Sequence, residues 1–393
     1  MPVKNRTPHL QKARHFSDVR SIRLLSQYII DFSFMKPPTG YTLADWFTLL
    51  REVNFSVDRE YYSRAYRVTV FSFMNSWYLK QENRLYLRKF NKVKIESPIF
   101  ILGHWRHGTT LLHELLAMDE QFAYPNQFEI SRPHTFLSRE PYVERLPQDP
   151  ELDKRPTDQM VVNYRSPGED ESALAILSSR SPMVSWNFPR YEDRYDRYLT
   201  FNDVPEDDLL RWKIAISLFM KKLTYRYNRS LLMKSPAHTA RIKILTDLFP
   251  DARFIHIHRN PFTVFQSTVK LYNTAVYLSY LQNPKPGSIK SGIIRRYKAM
   301  YDAFFDQKDS VASDRFIEIG FEELERDTLG ALRNIYTRLG IEGYDQARPG
   351  FEAYLRRVQG YKKNQFKEIP EPLRSEVVGA WKHCFDEWGY SAL

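Results

Sequence analysis

Two stretches of the sequence place glycine, arginine and hydroxyl residues at spacings that suit bound anions. The first runs Ile99-Phe100-Ile101-Leu102-Gly103-His104-Trp105-Arg106-His107-Gly108-Thr109-Thr110. Its apolar start reads as a buried strand, and the leucines from Leu111 to Leu116 recur at helical spacing. Strand, glycine-containing loop and helix together make a phosphate cradle. Gly103 and Gly108 let backbone N–H groups approach an anion, and the helix start adds partial positive charge. Thr109 and Thr110 can add hydroxyl donors there. The glycines are not followed by Lys-Ser/Thr, so this is not a Walker A loop. Arg106 supplies the cation from inside the loop instead.

The second stretch is Arg259-Asn260-Pro261, with Ser267 eight residues after the arginine. Pro261 suits the first position of a helix, which puts Ser267 about two turns along it. An arginine fork with a hydroxyl from the neighbouring helix is an anion site separate from the cradle. Two such sites suggest a nucleotide phosphorylated at two places.

Taken in order, the two stretches resemble the sulfotransferases that use 3′-phosphoadenosine 5′-phosphosulfate (PAPS). That pattern is an apolar strand, a [K/R]-x-G-T-T loop, then a strand ending in R-[N/D]-P with a serine eight residues on. Arg106-His107-Gly108-Thr109-Thr110 and Arg259-Asn260-Pro261…Ser267 match it; many members have Lys-Ser where Arg106-His107 stands. The resemblance spans roughly residues 97–340. It implies a P-loop-like three-layer fold and PAPS as co-substrate. Gly103, Arg106, His107, Gly108, Thr109 and Thr110 would hold the 5′-phosphosulfate, and Arg259 with Ser267 the 3′-phosphate. Lys362 and Lys363, in a basic glycine-containing segment, would fold over that 3′-phosphate; a solvated charge pair is the alternative.

An acceptor hydroxyl needs a base within hydrogen-bond reach. In the branches with a glutamate base, that residue follows the cradle helix, and Glu129 occupies a similar position. His238, in Lys234-Ser235-Pro236-Ala237-His238, is the second candidate, because cytosolic members use a histidine. Lys234 offers a cation for the sulfuryl oxygens, or a structural ion pair. Glu169, Asp170 and Glu171 read as the first turn of a helix. No His/Cys/Asp/Glu set has metal-ligand spacing, so no metal is expected.

These residues need elements to position them. Later strands are expected at 230–233, 253–257 and 315–319, with helices at about 239–248, 261–271 and 328–339. The alternation makes this an α/β chain with a parallel sheet flanked by helices. Ligands then bind beyond the carboxyl ends of the strands, where the cradle, Lys234–His238 and His258–Pro261 should meet. Residues 124–133 read as a loop or short strand, and 137–170 as long surface loops. Helical runs at 22–35, 43–54 and 58–90 follow a basic arm over 1–20. They suggest a helical extension over 1–92 and an α/β domain over 93–393 with inserted loops at about 137–200. The run at 22–35 could pack on its own domain or lie on a membrane as an amphipathic segment.

Composition narrows the class. The 393 residues hold 58 Lys and Arg against 47 Asp and Glu, a net +11, which favours an anionic partner. With 42% hydrophobic residues a packed core is expected. One cysteine rules out an internal disulfide. No apolar run is long enough to span a membrane, and a cytoplasmic enzyme is expected. The resulting reading is transfer of a sulfuryl group to a hydroxyl or amine. The acceptor would be a small molecule, a lipid or a carbohydrate, not a nucleic acid. A P-loop kinase or hydrolase would want Gly-Lys-Ser/Thr and a magnesium acid. A non-catalytic nucleotide or polyanion binder is the other alternative.

Overall fold

The computed structural model describes residues 37–143, 162–359 and 366–392. The expected arm, the helix at 22–35, much of the loop after 137, and Lys362 and Lys363 lie outside them.

Five strands form one parallel sheet in the order β2-β3-β1-β4-β5. They are β1 (Ile99–Leu102), β2 (Phe122–Ala123), β3 (Ser230–Lys234), β4 (Arg253–His258) and β5 (Phe316–Gly320). In β1 every residue is buried. A strand covered on both faces reads as an unbroken apolar run rather than an alternating one. Successive side chains still alternate between faces. Phe100 and Leu102 enter one core with Met233 and Phe254; Ile99 and Ile101 enter another with Leu232, Ile255 and Ile317.

Helices α1 (Leu43–Glu52) and α2 (Tyr62–Phe90) precede β1, and α3 (Thr109–Leu116) follows it. The long α2 is anchored by Asn75, whose amide donates to the carbonyls of Thr39 and Tyr41. Trp46 of α1 and Val68 of α2 share the core of Phe100, so these helices cover one face of the sheet. Leu112, Leu115 and Leu116 of α3 cover the other.

Residues 124–133, expected as a loop or short strand, contain helix α4 (Gln127–Ser131) instead. Its start is a capping box: Asn126 accepts from Glu129 N, and the Glu129 carboxylate accepts from Asn126 N. The Asn-x-x-Glu spelling carried that signal. The strand lies just before it, at β2. The surface-loop reading after 137 also fails in part, because α5 spans Phe136–Val143. Next come α6 (Asp170–Ser178), α7 (Glu206–Tyr227), α8 (Ile242–Leu248) and α9 (Pro261–Thr274). A helix not anticipated from sequence, α10 (Ser288–Lys308), runs under the cradle. The order closes with α11 (Phe321–Arg326), α12 (Thr328–Arg338), α13 (Tyr344–Arg357) and α14 (Leu373–Glu387).

Candidate active site

The three loops expected to converge do so, because β3 and β4 both flank β1. Gly103 N donates to Thr239 Oγ1, 2.8 Å away, in the short turn after β3. The loop itself is set by its glycines. Gly103 has φ +134, and a Cβ there would lie 2.5 Å from the Ile257 carbonyl of β4. Gly108, at φ +96, caps α3, and a Cβ would sit 2.2 Å from the Phe321 ring. Neither position accepts another residue without displacing its neighbours. Thr109 and Thr110 form the first turn of α3.

Arg106 lies in the left-handed region at φ +74, which is unfavourable for a residue with a Cβ. Contacts to Ser267 and Arg259 help hold it. Its Nε donates to Ser267 Oγ at 2.9 Å, and its carbonyl accepts from Arg259 Nη1 at 3.3 Å. Arg259 also lies over the Phe321 ring, 4.0 Å from its centroid. Arg106, Arg259 and Ser267, predicted from separate motifs, therefore form one cluster at the mouth of the cradle. Asn260 caps α9 by accepting from Phe262 N and Thr263 N, with Pro261 at the first helical position. That turn fixes Arg259 and Ser267 relative to each other.

His107 faces away from the cradle. Its ring is fully buried, with Nδ1 3.1 Å from both the Ile257 carbonyl and the Tyr301 hydroxyl. Burial holds this imidazole well below its ordinary pKa, and the neighbouring histidines push the same way. The Tyr301 hydroxyl also accepts from His104 N. Tyr301 of α10 thus supports the loop from below.

On the β3 side, Glu169, Asp170 and Glu171 do open a helix, α6, with Glu169 as its N-cap residue. Their carboxylates also bind the segment after β3. Lys234 Nζ donates to Glu169 Oε1 at 2.7 Å. Asp170 accepts from Lys234 N at 3.0 Å and from His238 Nε2 at 2.6 Å. Glu171 accepts both terminal nitrogens of Arg241 and the Ser235 hydroxyl. His238 is sealed, packed edge-on against Phe100 and Trp212. Glu129 is equally enclosed: Asn126 N donates to its Oε2 and the Tyr227 hydroxyl to its Oε1. Glu169 differs, since a quarter of its side chain (25%) reaches solvent while Lys234 exposes 3%.

A glycine-forced cradle, a helix start and an arginine–hydroxyl cluster thus meet at the carboxyl ends of a parallel sheet. Comparison with known proteins makes this specific. The sulfotransferase family model matches residues 98–346, and the chain belongs to that family. It is 32% identical over 355 residues to the omega-hydroxy-beta-dihydromenaquinone-9 sulfotransferases Stf3 of Mycobacterium bovis and Mycobacterium tuberculosis. That match covers 89% of this chain and 90% of each relative. The solved sulfotransferase STF9 of Mycobacterium avium shares the fold at TM-score 0.63 and 15% identity, covering 96% of this chain and 98% of its own. Sulfotransferase STF1 of Mycobacterium tuberculosis superposes at 0.62 with 17% identity, covering 92% and 99%. The chain is an enzyme of sulfuryl transfer, as the paired motifs implied.

Proposed function

We propose that this sulfotransferase takes its sulfuryl group from PAPS and delivers it to a hydroxyl on an apolar, lipid-like acceptor. The observation that carries the donor assignment is the cluster of Arg106, Arg259 and Ser267 beside the cradle. Arg259 and Ser267 offer cationic and hydroxyl donors for a 3′-phosphate, next to Arg106 and the backbone donors of the cradle for a phosphosulfate. A nucleotide with anionic groups at both places fits that donor set. The acceptor class follows the Stf3 relatives, which are sulfotransferases of omega-hydroxy-beta-dihydromenaquinone-9.

In the reaction, the S–O bond to the bridging oxygen of the 5′-phosphate breaks. A new S–O bond forms to the acceptor oxygen, whose proton passes to a base, and 3′-phosphoadenosine 5′-phosphate leaves. Arg106, the cradle N–H groups and Lys234 stabilise charge on the sulfuryl oxygens and the leaving phosphate. We assign the base to Glu169 rather than Glu129 or His238. Its carboxylate alone of the three is open to solvent, and it sits on Lys234 at the end of β3. Glu129 then serves as a capping residue of α4, and His238 as a positioning residue acting through Asp170. The Gly103, Gly108, Thr109 and Thr110 backbone lines the phosphosulfate, and His107 contributes its main chain only.

The test is turnover with labelled PAPS and a hydroxylated prenyl quinone. Glu169→Gln should lower the rate by about 10²–10⁴-fold, the usual contribution of a general base, with nucleotide binding kept. The acidic limb of the pH–rate profile should go with it. If Glu129→Gln or His238→Gln gives that loss while Glu169→Gln stays active, the base is reassigned. Equal affinity for 3′-phosphoadenosine 5′-phosphate and adenosine 5′-phosphate would remove the donor assignment.

A further inference from the structure

Helix α2 carries a stripe of large side chains that the fold leaves uncovered. Tyr62, Tyr66, Val70, Phe73 and Trp77 follow one another by four, four, three and four residues, the spacing of a single helical face. The four aromatics are between 60% and 72% exposed, and Val70 is 42% exposed. The same face continues by three, four and four residues to Lys80, Arg84 and Arg88, all exposed. The stripe therefore changes along its length, aromatic first and basic after, over about 39 Å of helix.

Charge decides what it fits. Glu82 is the sole carboxylate in α2, and it is buried against Lys222, with its oxygens accepting Leu137 N and Ser138 N. The helix surface is then a row of aromatic side chains beside bases, with no exposed acid of its own. Contiguous exposed apolar side chains of this size mark an interaction surface. Tyrosine and tryptophan suit the boundary between headgroups and acyl chains, and lysine and arginine suit anionic headgroups.

We propose that α2 docks this enzyme on an anionic lipid bilayer, with Tyr66, Phe73 and Trp77 entering the headgroup boundary and Lys80, Arg84 and Arg88 against acidic lipids. The enzyme would lie on the membrane without crossing it; no helix among the described residues is long and apolar enough to span one. The inference stands on the helix alone and does not depend on the donor or the base. It is compatible with an acceptor that resides in lipid.

Flotation of the full chain with phosphatidylcholine vesicles, with and without phosphatidylglycerol, tests it. The chain should float with the anionic vesicles only, and high salt should release it. Phe73→Ser with Trp77→Ser should abolish flotation. Lys80→Gln with Arg84→Gln should weaken it by about thirty-fold. Both variants should keep the wild-type melting temperature and nucleotide affinity, which separates this test from that of the active site. Absence of flotation, or flotation unchanged in both variants, overturns the proposal. So does a result in which the aromatic variant only converts a dimer to a monomer, which would make the partner a second copy. Flotation lost only on removing residues 1–36 would overturn it too, placing the anchor in that segment.

Discussion

The two strands that flank β1 end in very different chemistry. Beyond β3, side chains are matched in pairs: Lys234 with the partly exposed Glu169, and, in full burial, His238 with Asp170 and Arg241 with Glu171. Three consecutive acids clasp one segment, and the last two pairs are wholly out of solvent. Beyond β4, the Arg259 guanidinium donates to the carbonyl of Arg106 in the cradle loop, whose own guanidinium reaches Ser267 of α9, both arginines half-buried. One side spends its charges on holding the backbone in place. The other concentrates like charge where a ligand anion can answer it. Damage to the two sealed pairs should appear as lost stability, and damage to the Arg106–Arg259 side as lost binding.

The strongest break of that contrast is Glu171→Ala. It leaves the Arg241 guanidinium buried opposite no carboxylate, and removing one partner of a buried pair costs about 3–5 kcal/mol. Chemical denaturation should show that loss. A variant with wild-type stability would mean the clasp is not structural.

Arg259→Ala makes the opposite case. Stability should change by less than about 1 kcal/mol, as for other partly exposed sites. The preference for 3′-phosphoadenosine 5′-phosphate over adenosine 5′-phosphate should fall by about 1.5–3 kcal/mol, the worth of a charge-assisted contact. Calorimetry with both nucleotides reads this directly. A folded variant that keeps the preference would erase the difference between the two sides.

A third effect, read against pH, concerns the loop between them. Burial lowers the His104 pKa from 6.5 to about 3, with Arg296 adding to the effect. The unfolded chain therefore binds the extra proton between those values, and stability falls as pH drops through that window. The slope is at most about 1.4 kcal/mol per pH unit for this group. His104→Gln should flatten the acid side of a melting-temperature profile by that amount. An unchanged profile would show that His104 is not held neutral.

Much of the site was readable because its chemistry is local. The Gly103 to Thr110 spelling sets a turn, and Asn260-Pro261 starts a helix, so the cradle and the Arg259–Ser267 pair could be placed by spacing. The apolar runs of β1, β3 and β4 signalled strands covered on both faces. What resisted reading was partnership. Glu129 looks like a free acid after the cradle helix, yet its carboxylate closes a capping box and meets Tyr227. His107 sits inside the phosphate motif but turns under it to Tyr301, 194 residues away. Asn126-x-x-Glu129 could have warned of the first; no local signal announces the second.

The sequence by itself determined strands β1, β3, β4 and β5, the glycine-bearing loop, the start of α9 and the excess of positive charge, since each depends on residues close along the chain. Tertiary structure alone decided which carboxylate stays open. Glu129, Glu169, Asp170 and Glu171 are chemically alike in sequence. Their difference comes from neighbours brought by the fold: Tyr227 to one, Lys234, His238 and Arg241 to the others. Burial and pairing are properties of the packed chain, and they leave Glu169 partly open to solvent while Glu129, Asp170 and Glu171 are sealed.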